Sequence, residues 1–195
     1  MTDWTPIDCH AHTTMSDGEL TIPELIETVR ERGVRPSVSD HLSTDVSQAV
    51  KSVDGIRAYL DALEPYDIGR GGEFCWHDSL WRELPEDLAA RFTHRLGSLH
   101  AVRVAEDGTR VTMFQRALPP ELTPAVYMER HVDDLERLAA EMPVDILAHP
   151  TLLPLPLRQL NVDELWTDAL EERTVEALYE AGIACEISAR SRPHE

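Results

Sequence analysis

Strand-like and helix-like runs alternate along this chain from one end to the other, with no low-complexity linker and no detectable repeat between them. That order calls for an α/β fold in which helices cover a largely parallel sheet or barrel. The run "TIPELIETVRERG" carries the clearest helix signals. Thr21 and Glu24 make a capping box, Ile22, Leu25, Ile26 and Val29 fall on one stripe, and Gly33 marks the stop. A second helix opens at Thr123 and Pro124, with Met128, Val132, Leu135, Ala139 and Met142 at helical spacing, and another is expected from Asn161 to Gly182. A less regular helical stretch covers about 47–64, and Pro85 interrupts the pattern in "HDSLWRELPEDLAARF", which predicts a broken helix or a lid-like excursion. "EDG" between "HRLGSLHAVRV" and "RVTMFQRA" predicts a hairpin. With "IDCHAH", "RPSVSDH", "YDIGRGGEF", "VDILAHP" and "IACEIS", six main strands are expected.

A length of 195 residues suits one domain with a sizeable core, and the 42% hydrophobic content lacks any apolar run approaching the roughly 20 residues that span a bilayer. The start "MTDWTPIDCH" has neither a basic segment nor an apolar one, so a cytoplasmic protein is expected. Cys9, Cys75 and Cys185 are too few for a disulfide framework and read as small buried apolar residues. The formal net charge of -18, with Lys51 the only lysine, argues against nucleic acid as a partner. Much of that acidity reads as solvated helix faces such as "VDDLER".

Polar residues recur where strands should end. In "IDCHAHTTMSDG" a strand would put Asp8, His10 and His12 on one face, with Asp17 five residues on beside a turn-forming Gly18. The later runs supply His41, Glu73, His100, His149 and Glu186. Parallel strands of a barrel converge at their C-terminal ends, so His10, His12, His41, Glu73, His100 and His149 are expected to be metal ligands, joined by Asp17. His77, His94 and His194 in loops, and His131 on a helix, read instead as surface or locally satisfied imidazoles. Asp40 is offered as a partner that orients His41, and Glu186 as a group that lines the site or caps its strand. Trp76 and Trp81 either line a substrate pocket or pack into the core.

In this order and at these separations, "HAHTTMSDG", "SVSDH", "GGEF", "GSLH", "LAHP" and "EIS" resemble the polymerase and histidinol phosphatase (PHP) superfamily of metal-dependent phosphoesterases over nearly the whole chain. The resemblance implies a distorted seven-stranded β/α barrel with up to three divalent ions, zinc, manganese or iron. It implies that His10, His12 and a bridging Glu73 hold one metal, that Glu73, His100 and His149 hold the second and form the catalytic centre, and that Asp17 and His41 belong to the third. The "GSLHAV" stretch looks most like the histidinol-phosphatase branch, which implies a small phosphorylated substrate, with Arg190 or Arg192 offered as its phosphate contact. The superfamily's closing strand carries an Asp-x-His pair that "ARSRPHE" lacks, so an incomplete barrel with an unpaired edge, open to self-association, is expected. Two other readings follow: a catalytically impaired metal-binding or interaction module, and a nuclease of the PHP type.

Overall fold

The computed structural model describes residues 5–187. It is a mixed α/β structure whose short strands pair mostly in parallel, and the chain divides into two compact units, 1–97 and 98–195. Among the described residues, no helix is long and apolar enough to cross a membrane.

In the first unit α1 (Ile22–Glu31) forms where the sequence predicts it. The Thr21 amide and hydroxyl both donate to the Glu24 carboxylate, at 2.9 and 2.6 Å, and Ile22, Leu25 and Ile26 bury one stripe. The expected second strand is two pieces, β1 (Ser37–Val38) and β2 (His41–Leu42), and α2 (Val53–Leu63) begins only where Ser52 caps it. The third expected strand is likewise β3 (Gly69–Arg70) and β4 (Glu73–Cys75). One register unites the pieces. Gly69, Gly71 and Glu73 donate in turn to the carbonyls of Pro36, Val38 and Asp40, which sets His41 directly opposite Glu73. The glycines make this approach possible, because a Cβ on Gly71 would lie 2.0 Å from Ser39 Oγ. After Pro85 the broken helix is reduced to α3 (Glu86–Ala89), and Leu96 at the start of β5 (Leu96–Ser98) donates to the Gly72 carbonyl.

One expected strand does not form. Residues 8–13 run beside β1 with only an isolated bridge at Ile7: the Ser39 amide still reaches the Ala11 carbonyl at 2.8 Å, but the His10 amide turns to the Asp8 carboxylate at 3.1 Å. A local side-chain bond to the backbone has displaced the ladder.

In the second unit the expected hairpin forms from β6 (Ala101–Arg103) and β7 (Arg110–Thr112), antiparallel, with Gly108 at φ 90° in its turn. The long helix α4 (Pro124–Glu141) follows its Thr123 cap. The predicted helix from Asn161 is two helices, α5 (Val162–Leu165) and α6 (Asp168–Ala181), since Thr167 caps a new start by accepting from the Leu170 amide. Leu170, Thr174 and Leu178 on α6 are buried at intervals of four, and α4 packs on α6 through Arg173, whose guanidinium reaches Glu129, Asp133 and Glu136 at 2.7–2.9 Å. The parallel pair β8 (Ile146–Leu147) and β9 (Ala184–Cys185) completes the unit.

His131, read from sequence as a surface or locally satisfied imidazole, is 1% exposed inside α4, and its Nε2 bonds the Pro150 carbonyl at 2.8 Å. Burial pushes its pKa from 6.5 down to about 4, with the Pro150 bond and the Asp134 charge opposing. The unfolded chain therefore binds a proton between about pH 6.5 and 4 that the folded one refuses, so the contribution of this group to stability is intact above 6.5 and falls by roughly 3 kcal/mol across that interval. The His131 ring should keep its neutral NMR shifts at pH 5; a titration midpoint near 6.5 would contradict this burial effect.

Candidate metal centre

Five of the sequence-predicted residues come together in the first unit. Glu73 heads β4 with its carboxylate fully buried, and its Oε2 lies 2.7 Å from His41 Nδ1, 3.2 Å from His12 Nε2 and 3.4 Å from His10 Nε2. The two Nε2 atoms of His10 and His12 are 3.0 Å apart. Asp17 stands on the other side of His12, its Oδ1 2.6 Å from Nδ1, and its Oδ2 is 3.5 Å from His41 Nε2. His12, Asp17 and His41 bring ligand atoms within 4.8 Å of one another, a group that could hold a metal ion.

The tautomer logic supports that reading. An Asp17 carboxylate accepting from His12 Nδ1–H leaves the Nε2 lone pair facing His10 Nε2 and Glu73. A His10 Nε2–H can donate to that lone pair across 3.0 Å, and a cation held between the rings would take the place of that hydrogen. Burial pulls the His12 pKa down, but the hydrogen bond and charge of Glu73 and the bond of Asp17 outweigh it and hold the ring above its ordinary value. Asp17 shows the reverse. Partial burial pushes it up, and the His12 bond with the charges of His41 and His12 leaves it below the usual carboxylate range.

The loop from His12 to Asp17 is held from beneath by a residue assigned differently from sequence. Asp40 does not turn its carboxylate to His41; it accepts from the Thr13 amide and hydroxyl, each at 2.7 Å, and from Ser16 Oγ at 2.5 Å. Tyr59, fully buried on α2, donates to the Gly71 carbonyl at 2.9 Å and accepts the Asp40 amide at 3.3 Å. Gly18 closes the loop: its amide bonds the Thr13 carbonyl at 2.9 Å, and a Cβ there would meet the His12 carbonyl oxygen at 2.2 Å. Thr13, Ser16 and Tyr59 carried no signal in the sequence, because hydroxyls that brace a loop are chosen by tertiary neighbours rather than by spacing.

His94, read from sequence as a surface or locally satisfied imidazole, contacts partners far along the chain, Cys9 O at 3.0 Å and Ser39 Oγ at 3.2 Å. His77 follows β4 beside Trp76, ring centroids 6.3 Å apart. Trp76 is 2% exposed and stacks on Trp81 at 5.7 Å, with the Arg82 guanidinium 3.9 Å from the Trp81 ring centre, so this pair packs rather than opening a pocket.

The second unit holds His100, just after β5, and His149, just after β8, with ring centroids 5.5 Å apart. His149 has φ 31°, a left-handed conformation that costs a side chain energy. Its amide donates to Glu186 Oε2 at 2.8 Å, so the Glu186 carboxylate holds the turn rather than merely ending a strand. Arg190, Arg192 and His194 lie outside the described residues. No protein-family model matches this chain, and no curated protein matches it in sequence.

Gly18→Ala should spread the loop and move Asp17 from His12, with a stability loss of about 1–3 kcal/mol from the displaced hydrogen bonds. Urea denaturation and the His12 NMR shifts check this; an unchanged His12 environment would show that the loop accommodates the methyl group.

Proposed function

We propose that the protein is a metal-dependent phosphoesterase of the PHP type, with that superfamily's β/α barrel as its fold, acting on a phosphate monoester of a small molecule. The observation that carries this reading is the fully buried Glu73 carboxylate with three imidazole nitrogens within 3.4 Å of one of its oxygens. His10, His12, Asp17, His41 and Glu73 would hold the cation or cations, and His100 with His149 is a second imidazole pair of the same chemical kind. Bound there, divalent ions would lower the pKa of a water and neutralise phosphoryl oxygens.

The chain's own residues contribute position and charge. Asp17 fixes the His12 tautomer, Asp40 holds the loop between them, and Glu73 and Asp17 supply the negative charge that a dication needs. The net charge of -18 favours a small substrate over a polyanion, since a nucleic-acid backbone would be repelled along its length while one phosphate meets only the local field.

Glu73→Gln keeps the shape and removes the charge. It should weaken metal binding by at least the roughly 10–100-fold that outer partners of metal sites are worth, whereas Glu141→Gln at the end of α4 should leave it unchanged. Elemental analysis after dialysis reads the first effect, and turnover of a panel of small phosphate monoesters, abolished by a chelator, reads the second half of the proposal. Equal metal content in the wild type and Glu73→Gln would overturn the site; preference for oligonucleotides over every small phosphate would overturn the substrate class.

A further inference from the structure

Asp78 is a carboxylate, 3% exposed, that the proposed chemistry does not use. It lies in the turn after β4, where its amide donates to the Cys75 carbonyl at 3.1 Å. Its Oδ2 accepts from the Ser43 hydroxyl at 2.8 Å and from the Thr44 amide, and its Oδ1 accepts from the Leu80 amide at 2.9 Å. Burial pushes the carboxyl up, but these bonds outweigh it and leave it below the usual carboxylate range. Asp78 is therefore ionised at neutral pH and can only accept.

Its bonds fall where the parallel ladder ends. β2 and β4 pair as far as Leu42 opposite Phe74, and then the two chains part. Ser43 gives its amide to the Val50 carbonyl at 3.0 Å, Val50 gives its own to the His41 carbonyl at 2.9 Å, and Ser43 Oγ takes the amides of Asp45 and Val46 at 3.1 and 3.3 Å. Upstream, the rungs from Gly69, Gly71 and Glu73 fix the register. Downstream, the Asp78 carboxylate joins the turn after β4 to the turn after β2, as a backbone rung would. His41 and Glu73 lie between the two ties, with His41 Nδ1 2.7 Å from Glu73 Oε2.

We propose that Asp78 is a positioning residue for the metal centre: its carboxylate clamps together the turns that follow His41 and Glu73, and so holds these two side chains against each other. Ligand sets work only when supporting residues keep them within about 0.5 Å of the productive geometry, and a strand pair tied at one end alone leaves the other end free to splay. The inference deepens the metal-site reading and rests on it for metal affinity alone; the placement of His41 is read without metal.

The test compares Asp78→Asn with Ile26→Val in the full chain. Asparagine keeps the shape but sets an NH2 group against one of the amides that the carboxylate satisfied. Ile26→Val trims the buried stripe of α1 and lowers stability with no part in either turn. In the metal-free protein, Asp78→Asn should shift the His41 imidazole ¹⁵N resonances while Ile26→Val leaves them in place. Asp78→Asn should also lower cobalt(II) affinity by about tenfold, the low end of what outer partners of metal sites are worth. Ser43→Ala removes one bond to the carboxylate; it should move His41 in the same direction by less, and it decides the matter if Asp78→Asn fails to fold. His41 resonances that move equally in Asp78→Asn and Ile26→Val, or in neither, would overturn the proposal, as would an unchanged cobalt(II) affinity in folded Asp78→Asn. A wild-type chain that binds no cobalt(II) would count against the metal centre instead, and the His41 comparison would still decide the role of Asp78.

Discussion

A carboxylate removed entirely from water is the constraint on which the first unit is organised. Glu73 has no exposed surface, and a charge buried without partners costs several kcal/mol. Its partners are His41 across the parallel register and His10 and His12 from the opening loop. The parallel pairing supplies the first of these for nothing beyond backbone hydrogen bonds. The loop residues need more help, because only scattered backbone bonds, such as Ser39 N–H to Ala11 O, hold them.

That help comes from Asp40 and Tyr59, whose hydrogen bonds go to the loop and its neighbouring backbone. Asp40 is itself a buried carboxylate, and it is satisfied by the amide and hydroxyl of Thr13 and the hydroxyl of Ser16, the residues between His12 and Asp17. Tyr59 fastens the Asp40 backbone to the Gly71 carbonyl. The supports thus link α2, the β1–β2 bend and the β3–β4 bend to one loop, and a change in any of them reaches the imidazoles indirectly. The proposed phosphoesterase chemistry depends on such rigidity, since a cation is held selectively only when its ligands are positioned beforehand.

In the second unit the same problem is solved through the backbone. His149 sits in a left-handed turn that its own side chain does not favour, and the turn is gripped from three sides: Glu186 takes its amide, the Leu152 amide takes its carbonyl at 2.9 Å, and His131 takes the next carbonyl. His131 was set aside in the sequence as a bystander because a histidine on a helix reports nothing about which carbonyl it will meet.

The sequence by itself determined α1, the start of α4, the end of α6 and the identity of the candidate ligands. The capping box at Thr21 and Glu24, the Thr123–Pro124 start and the Gly182 stop act within one or two turns, so local spacing suffices to read them. His10, His12, Asp17, His41 and Glu73 were legible because such groups recur at the ends of successive strand-like runs, where a single one would have meant little. Only the tertiary structure decided that residues 8–13 would leave the sheet and that Asp40 would serve the Thr13–Ser16 loop instead of His41. Each of those outcomes is a competition between a local hydrogen bond and a partner many residues away. Such a partner exists only after the chain has folded.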